Sequence, residues 1–222
     1  MKIVLATGNL GKIAEIRKIL SDIDIEVLTF EDFDSFPDPE ETGVSFLENS
    51  LIKSKAVHEQ TGLPALADDS GLEVDCLDGA PGIMSARYGG DGLDDRHRYL
   101  KLLEDMAGVP GEERTARFRC VMTFYPVDAD AQFSPPPGLD KRDSLKMPGE
   151  EKIALVTEGF LYGKIAEQPA GEGGFGYDPV FYIPEEGMTA AQLLPERKNS
   201  ISHRYRALVE MKRLLKHCCA GG

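Results

Sequence analysis

The chain has 222 residues, 41% of them hydrophobic and 28% charged, the make-up of a globular protein with enough length for a substantial core. Its 38 acids and 25 bases leave a net charge of −13, and no Lys/Arg cluster offers a basic face, which argues against nucleic-acid and anionic-membrane partners. No apolar run approaches the ~20 residues of a membrane helix, and the short Ile3-Val4-Leu5-Ala6 run is too brief for a signal-peptide core.

In chain order, Lys2–Thr7 reads as a strand, Gly8-Asn9 as a turn, and the segment from Gly11 as a helix with Ile13, Ile16 and Leu20 on its buried face. Strand, glycine turn and helix open an α/β unit. Residues 25–30 suggest a second strand, and the acidic stretch 31–43, broken by Pro37 and Pro39, a loop. Ser45-Phe46-Leu47-Glu48 fits a capping box for a helix ending near Gly62. Residues 65–67 lead into Asp68-Asp69-Ser70-Gly71, and residues 72–76 alternate like a strand. Gly79-Ala80-Pro81-Gly82 is a turn, 94–106 a helix, 117–125 a strand, and 126–152, with Pro135-Pro136-Pro137, a long loop inserted in a single domain. Residues 153–162 resume strand patterning, 171–184 are glycine-rich and then β-like, and the last helix spans 202–217, with Leu208, Met211, Leu214 and Leu215 inward. Cys76, Cys120, Cys218 and Cys219 form no metal-binding spacing, and reduced thiols in a cytoplasmic setting are expected.

Four segments carry candidate chemistry. Thr7-Gly8-Asn9-Leu10-Gly11-Lys12 presents backbone N–H groups at a helix start, which suits phosphate. It is not a Walker A loop, because its glycines are too close and Ile13 follows Lys12. Lys12 stands where a cation opposes the helix dipole, so a bound anion is one reading and an ordinary exposed lysine the other. Asp68-Asp69 offers carboxylates for Mg²⁺ or for activating water. Strand alternation would turn only one of the two toward a given ligand, and a solvated acidic turn is the competing reading; Glu40 and Glu41 in the acidic loop are candidate partners, or simply solvated. Phe175, between Gly174 and Gly176, leaves a ring face open for a flat ligand, or lies in a hairpin turn with core aromatics. Lys198, His203 and Arg204 lie around the start of the last helix, where Ser200 or Ser202 can cap. Cations at the positive ends of two helices in an acidic chain suit a polyanion.

Together the ordered segments Ala6–Lys12, Glu40-Glu41-Thr42-Gly43, Ser45–Asn49, Ala67–Leu72, Gly79–Gly82, Ser85–Tyr88, Gly173–Pro179 and Ile201–Arg204 closely resemble the inosine triphosphate pyrophosphatase family, whose bacterial members are dITP/XTP pyrophosphatases. The resemblance implies an α/β fold: an elongated mixed β-sheet flanked by helices, in two lobes with a cleft between them. It implies a cytoplasmic homodimer that hydrolyses dITP, ITP and XTP to monophosphate and pyrophosphate with Mg²⁺. By position, Thr7, Gly8, Asn9, Leu10, Gly11, Lys12 and Lys53 resemble triphosphate contacts. Asp69 resembles the catalytic base and a metal ligand, Glu40 a second metal ligand and Ser70 a substrate contact. Phe175, Gly176, Tyr177 and Asp178 resemble the base-binding loop, and Lys198, His203 and Arg204 ligands to base and phosphate. Two other readings are a pyrophosphatase of the related septum-inhibitor type acting on modified pyrimidines, and a nucleotide sensor without catalysis. Against the sensor, paired carboxylates repel phosphate unless a metal intervenes. The segment 126–152 and the His217-Cys218-Cys219 tail depart from the family pattern.

Overall fold

The computed structural model describes residues 1–128, 144–146 and 152–219. Two units are recognisable: Met1–Asp69 with Cys120–Gly159 and Arg206–Gly222, and Ser70–Arg119 with Phe160–Tyr205. The chain passes from the first to the second between Asp69 and Ser70.

In the first unit, β1 (Lys2–Leu5) pairs in parallel with β2 (Glu26–Leu28), Ile3 opposite Val27, and with β3 (Ala65–Val74), Val4 opposite Ala65. Parallel neighbours need a crossover, and α1 (Leu10–Leu20) and α2 (Phe46–Thr61) supply the two required here. Ile13, Ile16 and Leu20 of α1 join Ile3 and Leu5 in a core closed by Ala207, Leu208, Met211, Leu214 and Leu215 of α5 (His203–Cys219). Each fully buried Leu or Met contributes roughly 1.5–3 kcal/mol relative to exposure.

The second unit has its own core. Leu72 and Val74 of β3 pack with Leu102 and Met106 from α3 (Asp95–Asp105) and its C-cap. Leu161 and Ile165 of β6 (Lys152–Ile165) and Phe181 and Ile183 of β7 (Phe181–Ile183) belong to the same cluster. The buried Arg114 guanidinium donates to the carbonyls of Ile165, Met106 and Ala166 at 2.8, 3.0 and 3.1 Å, so its charge is met by backbone dipoles. Gly163 permits a close approach: a Cβ there would lie 2.5 Å from the Tyr182 carbonyl oxygen.

The sheet also contains β4 (Thr115–Asp128), β5 (Ser144–Lys146) and β8 (Met188–Thr189). Its order is β2-β1-β3-β4-β6-β7-β8, with β5 pairing antiparallel to β6 off that path. The pairs β6–β7 and β7–β8 are antiparallel, so the sheet is mixed, as the family resemblance implies.

Four sequence expectations are corrected. Asp68–Gly71 is neither the end of a strand nor a turn: β3 runs unbroken from Ala65 to Val74, and Asp68 and Asp69 are both buried. The segment 126–152 is not wholly loop, because β4 continues to Asp128, 144–146 is a strand and β6 begins at Lys152; residues 129–143 and 147–151 lie outside the described residues. A short helix, α4 (Pro195–Ile201), was not legible: Pro195 starts it, but seven residues carry too little periodicity. The capping box at Ser45 is half formed. Ser45 Oγ accepts from the Glu48 N–H at 3.2 Å, whereas the Glu48 carboxylate accepts from Val44 N–H at 2.8 Å.

Candidate active site

In the first unit, the chain between β1 and α1 is built by two side-chain caps. Thr7 Oγ1 accepts from Asn9 N–H at 3.2 Å, and Asn9 Oδ1 accepts from Lys12 N–H at 3.1 Å, which makes Asn9 the N-cap of α1. Gly8, Leu10 and Gly11 are exposed, and no acid lies in the first turn. Lys12 Nζ donates to both carboxylate oxygens of Asp68, at 3.0 and 2.8 Å. The cation at the positive end of α1 thus has a counter-ion within the chain.

Asp69 faces different partners. Its Oδ2 accepts from Asn49 Nδ2 at 3.1 Å and its Oδ1 from Lys53 Nζ at 3.4 Å. Lys53 also donates to Glu41 Oε1 at 2.7 Å. Burial raises the Asp69 pKa above the ordinary aspartate value, Glu41 adds to the rise, and Lys53 only partly opposes it. Burial works against the Lys53 ammonium, but Asp69, Asp68 and Glu41 overcome it and hold its pKa above the usual lysine value.

Asn49, fully buried on α2, uses both ends of its amide. Its Oδ1 accepts from Gly43 N–H at 2.8 Å while its Nδ2 serves Asp69. An N–H on one side and a carboxylate on the other fix the amide orientation. Gly43 must lack a side chain, because a Cβ would fall 2.6 Å from Asn49 Oδ1. Asn49 therefore ties the segment carrying Glu41 to the aspartate. The buried face of α2 is otherwise unexpectedly polar: Ser50 and Ser54 hydroxyls both meet Thr123 Oγ1, at 2.9 and 3.0 Å.

Among the described residues, no three His, Cys, Asp or Glu side chains converge on a metal position. Mg²⁺ usually takes one or two carboxylates and completes its shell with water and substrate phosphate. Asp69 and Glu41, hard oxygen donors on one shared ammonium, fit that requirement. Glu40 is exposed, and it is Glu41 that reaches Lys53.

A second cluster lies wholly in the second unit. Asp178 Oδ2 accepts from Phe175 N–H at 2.7 Å and from Lys198 Nζ. Burial raises the Asp178 pKa, with Lys198 opposing. Lys198 Nζ also sits 4.5 Å from the centroid of the Phe175 ring, and that ring is 62% exposed. Gly174 and Gly176 flank it with φ of +77° and +63°. The Tyr177 hydroxyl donates to the Ser85 carbonyl at 2.8 Å, and burial pushes its pKa up. His203 stacks on Phe118 with ring centroids 5.1 Å apart, in the first turn of α5. Arg204 beside it is buried, and Ser202 Oγ caps that helix by accepting from Tyr205 N–H at 3.0 Å. Ser70 is half-buried at the first position of this unit.

The structure thus gathers Thr7–Lys12, Lys53 and Asp69 in one unit, and Phe175–Asp178, Lys198, His203 and Arg204 in the other. One residue lacked a sequence role. Asn49 stood in a quoted motif, but its signal, a polar residue among the inward positions of α2, is indistinguishable from surface until the helix is docked. Glu41 is, with Glu40, a candidate partner of the aspartates from the sequence, and the structure brings Glu41 to Lys53.

Comparisons with known proteins identify the family. The Ham1 family model matches residues 3–214. The dITP/XTP pyrophosphatase of Photobacterium profundum is 45% identical over 215 residues, covering 97% of this chain and 98% of its own. That of Escherichia coli K12 is 44% identical over 207 residues, covering 93% and 94%. The solved structure of a HAM1 protein from Coxiella burnetii superposes with a TM-score of 0.82 at 40% identity, covering 97% of this chain and 98% of that one.

Proposed function

The chain belongs to the Ham1 family, and on that premise we propose that it hydrolyses the non-canonical purine nucleoside triphosphates dITP, ITP and XTP to monophosphate and pyrophosphate. The observation that carries this reading is the setting of Asp69: a buried carboxylate of raised pKa, oriented by Asn49 and touching a lysine that Glu41 shares.

In the proposed reaction Asp69 takes a proton from water as its oxygen bonds to the α-phosphorus. The Pα–O–Pβ bridge breaks and pyrophosphate leaves. A carboxylate with a raised pKa is a stronger base than an exposed one. Lys12 and Lys53 supply positive charge to the phosphates, and the exposed N–H groups of the Gly8–Gly11 turn add dipoles. Asp68 holds Lys12 extended before the polyanion arrives. Phe175 offers a face to the base, and Lys198, held over that ring, belongs to the same end of the nucleotide. Arg204 donates to a 6-oxo group, which hypoxanthine and xanthine have and adenine lacks. Asp69 and Glu41 are the residues that would hold Mg²⁺, with Glu40 adjacent in sequence. When bound, the ion neutralises phosphate oxygens and favours hydroxide over water.

We further read the protein as a cytoplasmic homodimer, following the family resemblance; sedimentation velocity tests the dimer. No helix of the described residues is long and apolar enough to cross a membrane.

The decisive experiment is a nucleotide panel scored separately for pyrophosphate and inorganic phosphate. Pyrophosphate from dITP, ITP and XTP with Mg²⁺, and none with chelator, is expected. Release of phosphate alone, or faster turnover of dTTP and dUTP, overturns the reading.

A further inference from the structure

The loop that carries Phe175 is held by a residue 81 positions upstream in the chain. Phe175 and Gly176 present two successive backbone N–H groups, and each finds a carboxylate. Phe175 N–H donates to Asp178 Oδ2 at 2.7 Å, and Gly176 N–H donates to Asp95 Oδ2 at 2.6 Å. Each carboxylate has its own cation. Lys198 serves Asp178, and the Arg98 guanidinium donates to Asp95 Oδ1 at 2.5 Å. Asp95 is the first residue of α3, so the helix anchors the carboxylate and its own next turn supplies the counter-ion.

The backbone it grips has little intrinsic reason to hold this shape. Gly174 and Gly176 both have positive φ, and glycine loses the most conformational freedom on ordering. The Phe175 ring between them is largely exposed, so core packing does not set its direction. The hydrogen bonds at 175 and 176 therefore constrain the backbone that carries the ring, with Lys198 over its face.

We propose that Asp95, supported by Arg98, is a positioning residue for the nucleobase: its bond to Gly176 N–H fixes the loop so that the Phe175 ring is preset for stacking. The inference rests on the reading of Phe175 as a base contact. Its energetic route is indirect. Asp95 acts only through the ring, and presetting the ring lowers the ordering cost of binding.

A double-mutant cycle on dITP hydrolysis tests it, comparing wild type, Asp95→Ala, Phe175→Ala and the double variant. Asp95→Ala is expected to raise KM about fivefold with kcat within about twofold, the mark of lost substrate binding. In the Phe175→Ala background the same substitution is expected to change KM by less than about 1.5-fold, because the ring it orients is gone. An unchanged KM in Asp95→Ala, or an equal rise in both backgrounds, overturns the proposal, since a merely structural role would act in both. If Phe175→Ala leaves KM unchanged, the base-contact reading itself fails. Should Asp95→Ala not fold, Asp95→Asn carries the cycle. Its amide puts an NH₂ donor at one of the two oxygen positions that separately accept from Gly176 N–H and Arg98, so a KM rise of about threefold, again abolished without the ring, is expected. An unchanged KM there also overturns the proposal.

Discussion

Asp68 and Asp69 are neighbours on one strand, yet each is met by a different lysine. Lys12, from the start of α1, takes both oxygens of Asp68, while Lys53, from the middle of α2, touches Asp69 and shares itself with Glu41. Strand alternation sends the two carboxylates to opposite sides, and the crossover helices after β1 and before β3 each deliver one cation. Asp68 is matched by a bidentate partner of its own. Asp69 has the more distant, divided one, and burial keeps its pKa raised.

Asp69→Asn is expected to reduce kcat about a thousandfold, the loss typical of a missing general base, while nucleotide binding persists. It is also expected to stabilise the fold. A raised carboxyl pKa supports folding fully below the unfolded value of about 3.9, and that support is lost as pH rises through the folded pKa. Asn does not titrate, so the variant's advantage should be absent near pH 3.5 and grow toward pH 7, read as a widening difference in Tm. Thermal unfolding across pH measures it, and a variant less stable than wild type at pH 7 contradicts the account.

Lys12→Met leaves the buried Asp68 carboxylate without its bidentate partner. The expected cost is about 2–3 kcal/mol, below the value for a fully buried pair because Lys12 remains partly exposed. Adding Asp68→Asn is expected to restore most of the melting temperature, whereas turnover stays low in both variants. Paired melting curves and pyrophosphate assays separate the structural part of Lys12 from its part in binding phosphate.

Gly174→Ala is expected to damage the base loop selectively. The position has φ of +77°, and a Cβ there would lie 2.1 Å from Asp178 Oδ2, so the carboxylate must leave Phe175 N–H and Lys198. KM for dITP should rise at least about tenfold with a smaller fall in kcat. A crystal structure of the variant would show Asp178 turned away.

Asn49→Ala breaks both bonds of the buried amide at once. Asp69 loses its orienting donor, and Gly43, next to the segment carrying Glu41, loses its anchor. A fall in kcat of about tenfold is expected, together with destabilisation of about 1–3 kcal/mol from the unpaired groups. Titrating turnover with Mg²⁺ should show a weaker apparent metal requirement constant, and an unchanged one removes Asn49 from the site.

Local patterns in the sequence were enough for the strand–turn–helix opening, the inward faces of α1 and α5, a serine cap at residue 200 or 202, which the structure gives to Ser202, and the residue set of the family motifs. These are governed by neighbours within one or two turns, and the period of apolar residues records them directly. Where patterns were short or broken, the reading stopped: α4 is too brief to show a period, and polar residues in the middle of β3 resembled a turn.

The residue types proposed for the chemistry were therefore readable in the sequence alone, but their partnerships were not. Lys12 and Asp68 lie 56 positions apart, Asn49 and Asp69 20, and Gly176 and Asp95 81. A carboxylate written into a strand is only a cost until folding brings it a cation or an N–H. Which of two adjacent acids gets the close lysine, and which is left buried with a raised pKa, depends on where helices dock, a matter of packing that no local spacing encodes.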